Sequence, residues 1–322
     1  VDALSEVLRA VRLAGAVILN ADLGAPWGLT VTETTPLARG FLHDADKPAI
    51  FHVMLRGECW MQVDEDEPIR VTEGEALLFP HGHAHKLESF TDVTVSTPLA
   101  TLLTPPIAGE LVPAVHGGGG EHTRLATGLA SFDRRLADPL LAALPNVVRV
   151  DLRGTAALEQ LEGSLAFELT ETEAPRPGGI ASLARIAELV VIDVIRRHIE
   201  ATPPGATGWL AGLDDRYVGR ALALMHGRPG DEWTVEKLAK LVGLSRSALA
   251  EHFTRILGDP PITYLTRWRL SLAARDLANS SREIQGIAKD AGYESAGAFA
   301  HAFKRAFGKT PTAWRRKNRR RK

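Results

Sequence analysis

The chain has 322 residues, 45% hydrophobic and 24% charged, with a formal net charge of −1; that balance is globular and excludes a disordered polymer. A single cysteine, Cys59, excludes an intrachain disulfide and fits a reducing compartment. The densest apolar run, LVVIDVI at 189–195, is too short to cross a bilayer and carries Asp193; no N-terminal stretch reads as an export signal, so a soluble cytoplasmic protein is expected.

The near-neutral charge conceals two opposite parts. Residues 209–322 hold 22 Lys+Arg against 11 Asp+Glu, a net +11, which leaves −12 for residues 1–208. A basic part fused to an acidic one suggests a polyanion-binding module joined to something with another task, although a solvated basic surface gives the same count. The tail RRKNRRRK would add salt-dependent affinity for nucleic acid without sequence preference, or is a basic end with no partner.

In chain order, residues 30–115 read as β. The runs AIFHVML, CWMQV and EALLFP are separated by turn chemistry at Arg56-Gly57 and Glu73-Gly74. FPHGHAHKL, 79–87, sets His81, His83 and His85 on alternate residues, which on a strand would share one face. HGGGGE, 116–121, reads as a flexible break, after which the chain stays mixed until about residue 170; EAPRPGG, 173–179, is a second break. The following IASLARIAELVVIDVIRRHIEA places Ile180, Leu183, Ile186, Ala187, Val190, Val191 and Val194 at helical spacing. That stripe is either core or the seam of a dimer. ATPPGATG, 201–208, is a Pro/Gly linker, and all beyond it reads as helix.

The helical part contains a degenerate duplication. In TVEKLAKLVGLSRSALAEHFTRILG, 234–258, Thr234 caps a helix whose face is Val235, Leu238, Ala239 and Val242; Gly243 makes the turn, and Ser245 caps a second helix with Leu249, Phe253 and Ile256 as its buried stripe. A small residue, a glycine four later and an apolar residue six after that is the spacing of a helix-turn-helix. REIQGIAKDAGYESAGAFAHAFKRAFG, 282–308, repeats it with Ile284, Ile287, Ala288, Ala291, Gly292, Ser295, Phe299, Phe303 and Phe307. The outward positions of the first recognition helix are Arg246, Ser247, Ala250 and Glu251; those of the second are Ala296, Gly297, Ala300 and His301. Arg246 can read guanine and Glu251 cytosine. The second head has little to read with beyond His301, and Lys304 and Arg305 would anchor it to phosphate; Arg255 is expected on phosphate as well.

IAKDAGYESAGAFAHAFKRAFGKTPTAWRR resembles the signature of the AraC family of transcription regulators, and LAKLVGLSRSALAEHFTRILGDPPITYLTRWRLSLAARDL its first motif and connecting helix, over about residues 215–316. The resemblance implies two reading heads in successive major grooves, about 34 Å apart. GEALLFPHGHAH, from Gly74, resembles the second motif of the cupin β-barrels, with His85 at its metal-ligand position. The first cupin motif would place His43 at its first histidine, but Ala45 and Ile50 stand where it has its second histidine and its glutamate. His52, Met54, Cys59 and Met61 should face into such a barrel, so His52, Cys59 and His85 could meet there, with His83 or His43 as a fourth. Imidazole plus thiolate suits zinc or another divalent metal. Equally, His81 and His83 are ordinary loop residues and Cys59 a small buried hydrophobe. A cupin followed by this pair of helix-turn-helices resembles a cupin-containing subgroup of AraC-type regulators.

The expected fold class is α+β: a cupin-like β-barrel followed by an all-α domain with two helix-turn-helix motifs. The expected divisions are an effector-sensing domain at 1–178, a connecting helix and linker at 179–208 and a DNA-binding domain at 209–322. The expected function is a sequence-specific DNA-binding transcription regulator, not an enzyme, whose barrel senses a small molecule or metal ion. The DNA-binding set is Ser245, Arg246, Ser247, Glu251, Arg255, Ser295, His301, Lys304 and Arg305; the effector or metal set is His52, Cys59, His83 and His85, with His43 as the alternative ligand. Partners are double-stranded DNA, a small-molecule effector, RNA polymerase, and a second copy through the cupin domain or the 180–200 helix, with no membrane. The alternatives are a metal-dependent cupin enzyme tethered to DNA and a non-specific architectural DNA protein.

Overall fold

The computed structural model describes residues 2–32, 34–38, 41–42, 47–91, 93–103, 111–170, 179–203 and 205–318, without the side chains of residues 134, 135, 167–170, 179 and 180. The strands are β1 Ala14–Gly24, β2 Gly28–Val31, β3 Ala49–Arg56, β4 Glu58–Val63, β5 Ile69–Thr72, β6 Glu75–Phe79, β7 His85–Glu88, β8 Thr97–Pro98, β9 Val112–Gly117, β10 His122–Ser131 and β11 Val148–Asp151. The helices are α1 Ala3–Val11, α2 Thr34–Ala38, α3 Leu99–Leu102, α4 Arg134–Ala143, α5 Ala156–Thr170, α6 Gly179–Glu200, α7 Trp209–Asp214, α8 Arg216–Gly227, α9 Val235–Val242, α10 Arg246–Leu257, α11 Pro261–Asn279, α12 Ile284–Asp290, α13 Ala296–Phe307 and α14 Pro311–Asn318.

The chain divides into two compact units. One is Leu13–Phe132 with Leu144–Ala201; the other is Thr202–Lys322 with Val1–Arg12 and Asp133–Ala143.

The first unit is the cupin-like part. Its six-stranded sheet runs β11-β6-β3-β10-β1-β9 and its five-stranded sheet β5-β4-β7-β2-β8. Both contribute to one core, among them Ile18, Leu29, Met54, Cys59, Met61, Phe79, Leu87 and Leu125. The sheet is wider than the β reading of 30–115, because β1, β10 and β11 lie outside it. β1 is buried on both faces over most of its length, so it shows no alternation of apolar and polar residues. The glycine run at 116–121 is not a flexible break. Ala25 N–H donates to Glu121 O at 2.9 Å, Gly118 N–H to Gly24 O at 2.6 Å and Gly120 N–H to Ala25 O at 2.9 Å. A Cβ at Gly118 or at Gly120 would stand 2.7 Å from Ala25 O. The glycines are there for close backbone approach. The expected break at 173–179 lies outside the described residues except for Gly179, the first residue of α6.

Helix α6 packs on β1, and Leu183, Ile186, Ala187, Val190, Val191 and Val194 are all buried. A Cβ at Gly15 would fall 2.7 Å from the Cβ of Ala187, so the sheet and helix meet through a small-residue contact. The stripe is core of this unit and not a free dimer seam; the Ile180 side chain lies outside the described residues.

In the second unit the two helix-turn-helices are α9–α10 and α12–α13, joined by α11. Thr234 Oγ1 accepts the Lys237 amide at 3.1 Å, Ser245 Oγ the Ala248 amide at 3.2 Å and Ser295 Oγ the Ala298 amide at 3.2 Å. These caps satisfy amides that a helix start otherwise leaves without a partner, each worth about 1 kcal/mol. Gly243 (φ +85°) and Gly292 (φ +79°) take the left-handed turn conformation that only glycine adopts freely. Leu238, Ala239, Val242, Leu249, Phe253 and Ile256 fill the first motif. Ile287, Ala288, Ala291, Phe299 and Phe303 fill the second, against Leu270, Ala273, Ala274 and Leu277 of α11. Ala239 and Ala288 are buried where the helices cross, as the spacing required.

Candidate functional site

Burying Leu249, Phe253 and Ile256 turns the opposite face of α10 outward. Arg246, Ser247, Glu251 and Arg255 are all exposed, and so is the cap Ser245. Arg246 is not idle: its Nε lies 2.7 Å from Glu236 Oε1 of α9, with both side chains more than half exposed. Such an exposed, solvent-screened pair is worth little to stability, so a phosphate or a guanine edge can displace it. Arg255 donates through Nη2 to His252 Nδ1 at 2.9 Å, and His252 in turn meets Asp215, which caps α8. Tyr217, Leu244, Ala248, Glu251, His252 and Arg255 line a concavity of about 280 Å³.

On α13, His301, Lys304 and Arg305 are exposed and Phe299 and Phe303 buried. The second head therefore presents cations above a smooth Ala/Gly front. The lysine and arginine also sit in the last turn of the helix, where its dipole favours cations. The pairing of Glu236 with Arg246, and the parts played by His252 and Asp215, were missed from the sequence. Asp215 carries a capping signature, but nothing local shows that a histidine 37 residues away shares it.

The histidines of the barrel are arranged otherwise than alternation suggested. Of the three alternating histidines only His85 is on a strand, because Phe79 O accepts the Gly82 amide at 3.1 Å and the chain turns after Phe79 before β7 begins. His81 and His83 meet each other edge to face, 5.6 Å between ring centroids, and share no face with His85. His85 instead meets His52 of β3. Their Nε2 atoms are 2.8 Å apart, His52 Nδ1 is 2.8 Å from Thr127 Oγ1, and His85 Nδ1 is 2.8 Å from the His83 carbonyl.

The carbonyl fixes every proton in that chain, since it can only accept. His85 therefore carries its proton on Nδ1, and its Nε2 accepts. His52 must donate from Nε2, so its Nδ1 accepts from the Thr127 hydroxyl. Both rings are uncharged. Burial holds His85 down to about 4, against the help of the His83 carbonyl. Burial and the neighbouring His85 hold His52 well below the ordinary imidazole range. His85 also lies flat on Phe79, with centroids 3.6 Å apart.

Among the described residues this pair is not part of a metal centre: no three His, Cys, Asp or Glu side chains stand close enough to hold an ion, whereas zinc sites need at least three protein ligands. Cys59 is buried among apolar side chains, and that burial pushes its thiol far up, as for a small buried hydrophobe. The expected meeting of His52, Cys59 and His85 thus reduces to the two histidines. His83 contributes its carbonyl to that pair, and its Nδ1 is buried without a partner. His43 lies outside the described residues.

The comparisons with known proteins agree with this architecture. The cupin family model matches residues 2–200, and a helix-turn-helix domain model matches residues 238–317. An AraC-like transcription regulator of Streptomyces lividans is 32% identical, with 98% of each chain covered. The HTH-type transcriptional regulator AlkR of Acinetobacter baylyi is 28% identical over 98% of this chain and 100% of that one. Among solved structures, the C-terminal domain of AraT, a response regulator from Geobacillus stearothermophilus, is 28% identical over 34% of this chain and 90% of that one, with a TM-score of 0.33. With a cupin-like sheet domain, two capped helix-turn-helices and full-length relatives of this kind, the chain belongs to the AraC family of DNA-binding transcription regulators, in its cupin-containing form.

Proposed function

We propose that the protein reads specific DNA sites through both recognition helices and that its cupin-like part senses a small molecule. The observation that carries the first half is that both helices start at serine caps and leave the whole predicted reading set exposed. Arg246 would contact guanine, Glu251 cytosine and His301 a base under the second head. Arg255, Lys304, Arg305 and the hydroxyls of Ser245, Ser247 and Ser295 would hold phosphates and fix the register.

In the barrel, His52 and His85 are the polar focus of a buried core, and a ligand that offers either ring a new partner must displace one of the hydrogen bonds in their chain, to Thr127, to each other or to the His83 carbonyl. That gives an effector unequal affinity for two arrangements, which any switch requires. The protein acts on DNA and RNA polymerase in the cytoplasm without chemical turnover. A second copy would pair through the cupin domain, since the α6 stripe is occupied by β1.

Purified protein mixed with sheared genomic DNA at about 150 mM salt, where non-specific binding is weak, tests the reading. A few retained sites sharing two half-motifs one helical turn apart are expected. Uniform retention of all fragments would show that the basic unit grips only phosphate.

A further inference from the structure

His252 lies on the second turn of α10, half-buried, and both edges of its ring are occupied. Nε2 is 2.8 Å from Asp215 Oδ2, and Nδ1 is 2.9 Å from Arg255 Nη2. Asp215 is itself held in place, because its Oδ1 accepts the amides of Tyr217 at 2.9 Å and Val218 at 2.8 Å as the cap of α8. Burial pushes the Asp215 carboxyl up, but those amides and His252 outweigh it and keep the group ionised. A guanidinium has no acceptor, so the direction of every bond is settled. Arg255 donates to Nδ1, and His252, uncharged, donates from Nε2 to the carboxylate. The other groups around the ring are Tyr217, edge-on at 6.1 Å, and Glu251, which lines the same concavity; Arg216 lies 5.3 Å from the Tyr217 ring.

We propose that His252 is a positioning residue for DNA binding: it holds Arg255 by one nitrogen and presents the rest of that side chain's five-donor fork to a phosphate. A freely rotating arginine loses side-chain entropy when it grips a phosphate, whereas one already tethered loses less. The inference rests on the reading of Arg255 as a phosphate contact.

The test is fluorescence anisotropy on the full chain with a labelled mixed-sequence duplex of about 40 base pairs, at low salt where phosphate contacts dominate. His252→Gln keeps an acceptor for Arg255 and a donor for Asp215; His252→Phe keeps the ring's bulk and has neither. His252→Gln should match the parent and His252→Phe should bind about fivefold more weakly, the worth of one hydrogen bond. In the Arg255→Ala background, His252→Phe should cost nothing further. If Arg255→Ala alone leaves affinity unchanged, the phosphate reading of Arg255 fails. If Arg255→Ala weakens binding but His252→Phe weakens it equally in both backgrounds, or His252→Gln binds as weakly as His252→Phe, the positioning role is overturned.

Discussion

Replacing His85 by phenylalanine separates the hydrogen-bond chain of the barrel from its packing. The new ring keeps the flat contact with Phe79, 3.6 Å between centroids in the parent, but offers His52 no acceptor. His52 is 1% exposed, so water cannot replace the lost partner. Whichever tautomer it adopts, one ring nitrogen is left unsatisfied, and this should destabilise the unit by about 1–3 kcal/mol. Removing both rings, as His52→Phe with His85→Phe, leaves no orphaned imidazole and should cost clearly less than the two single changes added together. The coupling expected between groups in direct contact is about 1–2 kcal/mol.

The same pair makes a pH statement whose sign is fixed. The folded-state values lie below the ordinary imidazole range, with His85 at about 4. The unfolded chain therefore binds more protons in the window from about 6.5 down to 4, and stability falls as pH falls, with a slope approaching 1.4 kcal/mol per pH unit for one such group. The contribution is complete above about pH 6.5. Native-state hydrogen exchange of the Phe51, Val53 and Leu87 amides, corrected for the intrinsic rate at each pH, reads the barrel alone. That choice matters because His226 in the helical unit is held down to about 3 by burial and would add its own acid sensitivity to any global probe. A His85→Phe cost below about 0.5 kcal/mol, strictly additive double changes, or an identical pH slope in parent and double variant would refute the directed, uncharged chain.

Three further outcomes follow from the DNA-binding unit. Glu236→Ala should raise affinity for mixed-sequence DNA by about two- to fivefold with no change in melting temperature, because it frees Arg246 from an exposed ion pair worth little to stability; unchanged affinity in filter binding would argue that Arg246 faces no DNA. Lys304→Ala should weaken all sequences alike and lower the slope of log affinity against log salt by about 0.9, the release of one counterion, in a salt titration. Gly292→Ala should destabilise the unit more than Gly243→Ala in thermal unfolding. Both glycines have positive φ, and alanine there costs about 1–2 kcal/mol. At Gly243 the space is open, but at Gly292 a Cβ would lie 2.7 Å from Arg269 Nη1, and that guanidinium is tied to Pro229 O and Asp231 O.

The helix-turn-helices were legible in the sequence because their determinants are local. The serine caps, the turn glycines and the apolar spacing that buries Phe253 and Phe303 all act within about 25 residues, and the helix period turns the remaining positions outward. The cupin signature likewise placed His85. What that histidine meets was decided by sheet register: Thr127 opposite His52, and Phe79 opposite Ile50, are pairings between strands far apart in sequence. The failure of His81, His83 and His85 to share a face has the same origin, since one turn at Gly82 cancels an alternation that holds only on a continuous strand. The glycines at 116–121 read as slack because composition cannot distinguish a flexible segment from a backbone pressed against Ala25. The α6 stripe looked the same whether a sheet or a second copy covered it. Asp215 and Arg255 became partners only because folding set one imidazole between them, and a proton's place on a ring is fixed by neighbours that no single segment contains.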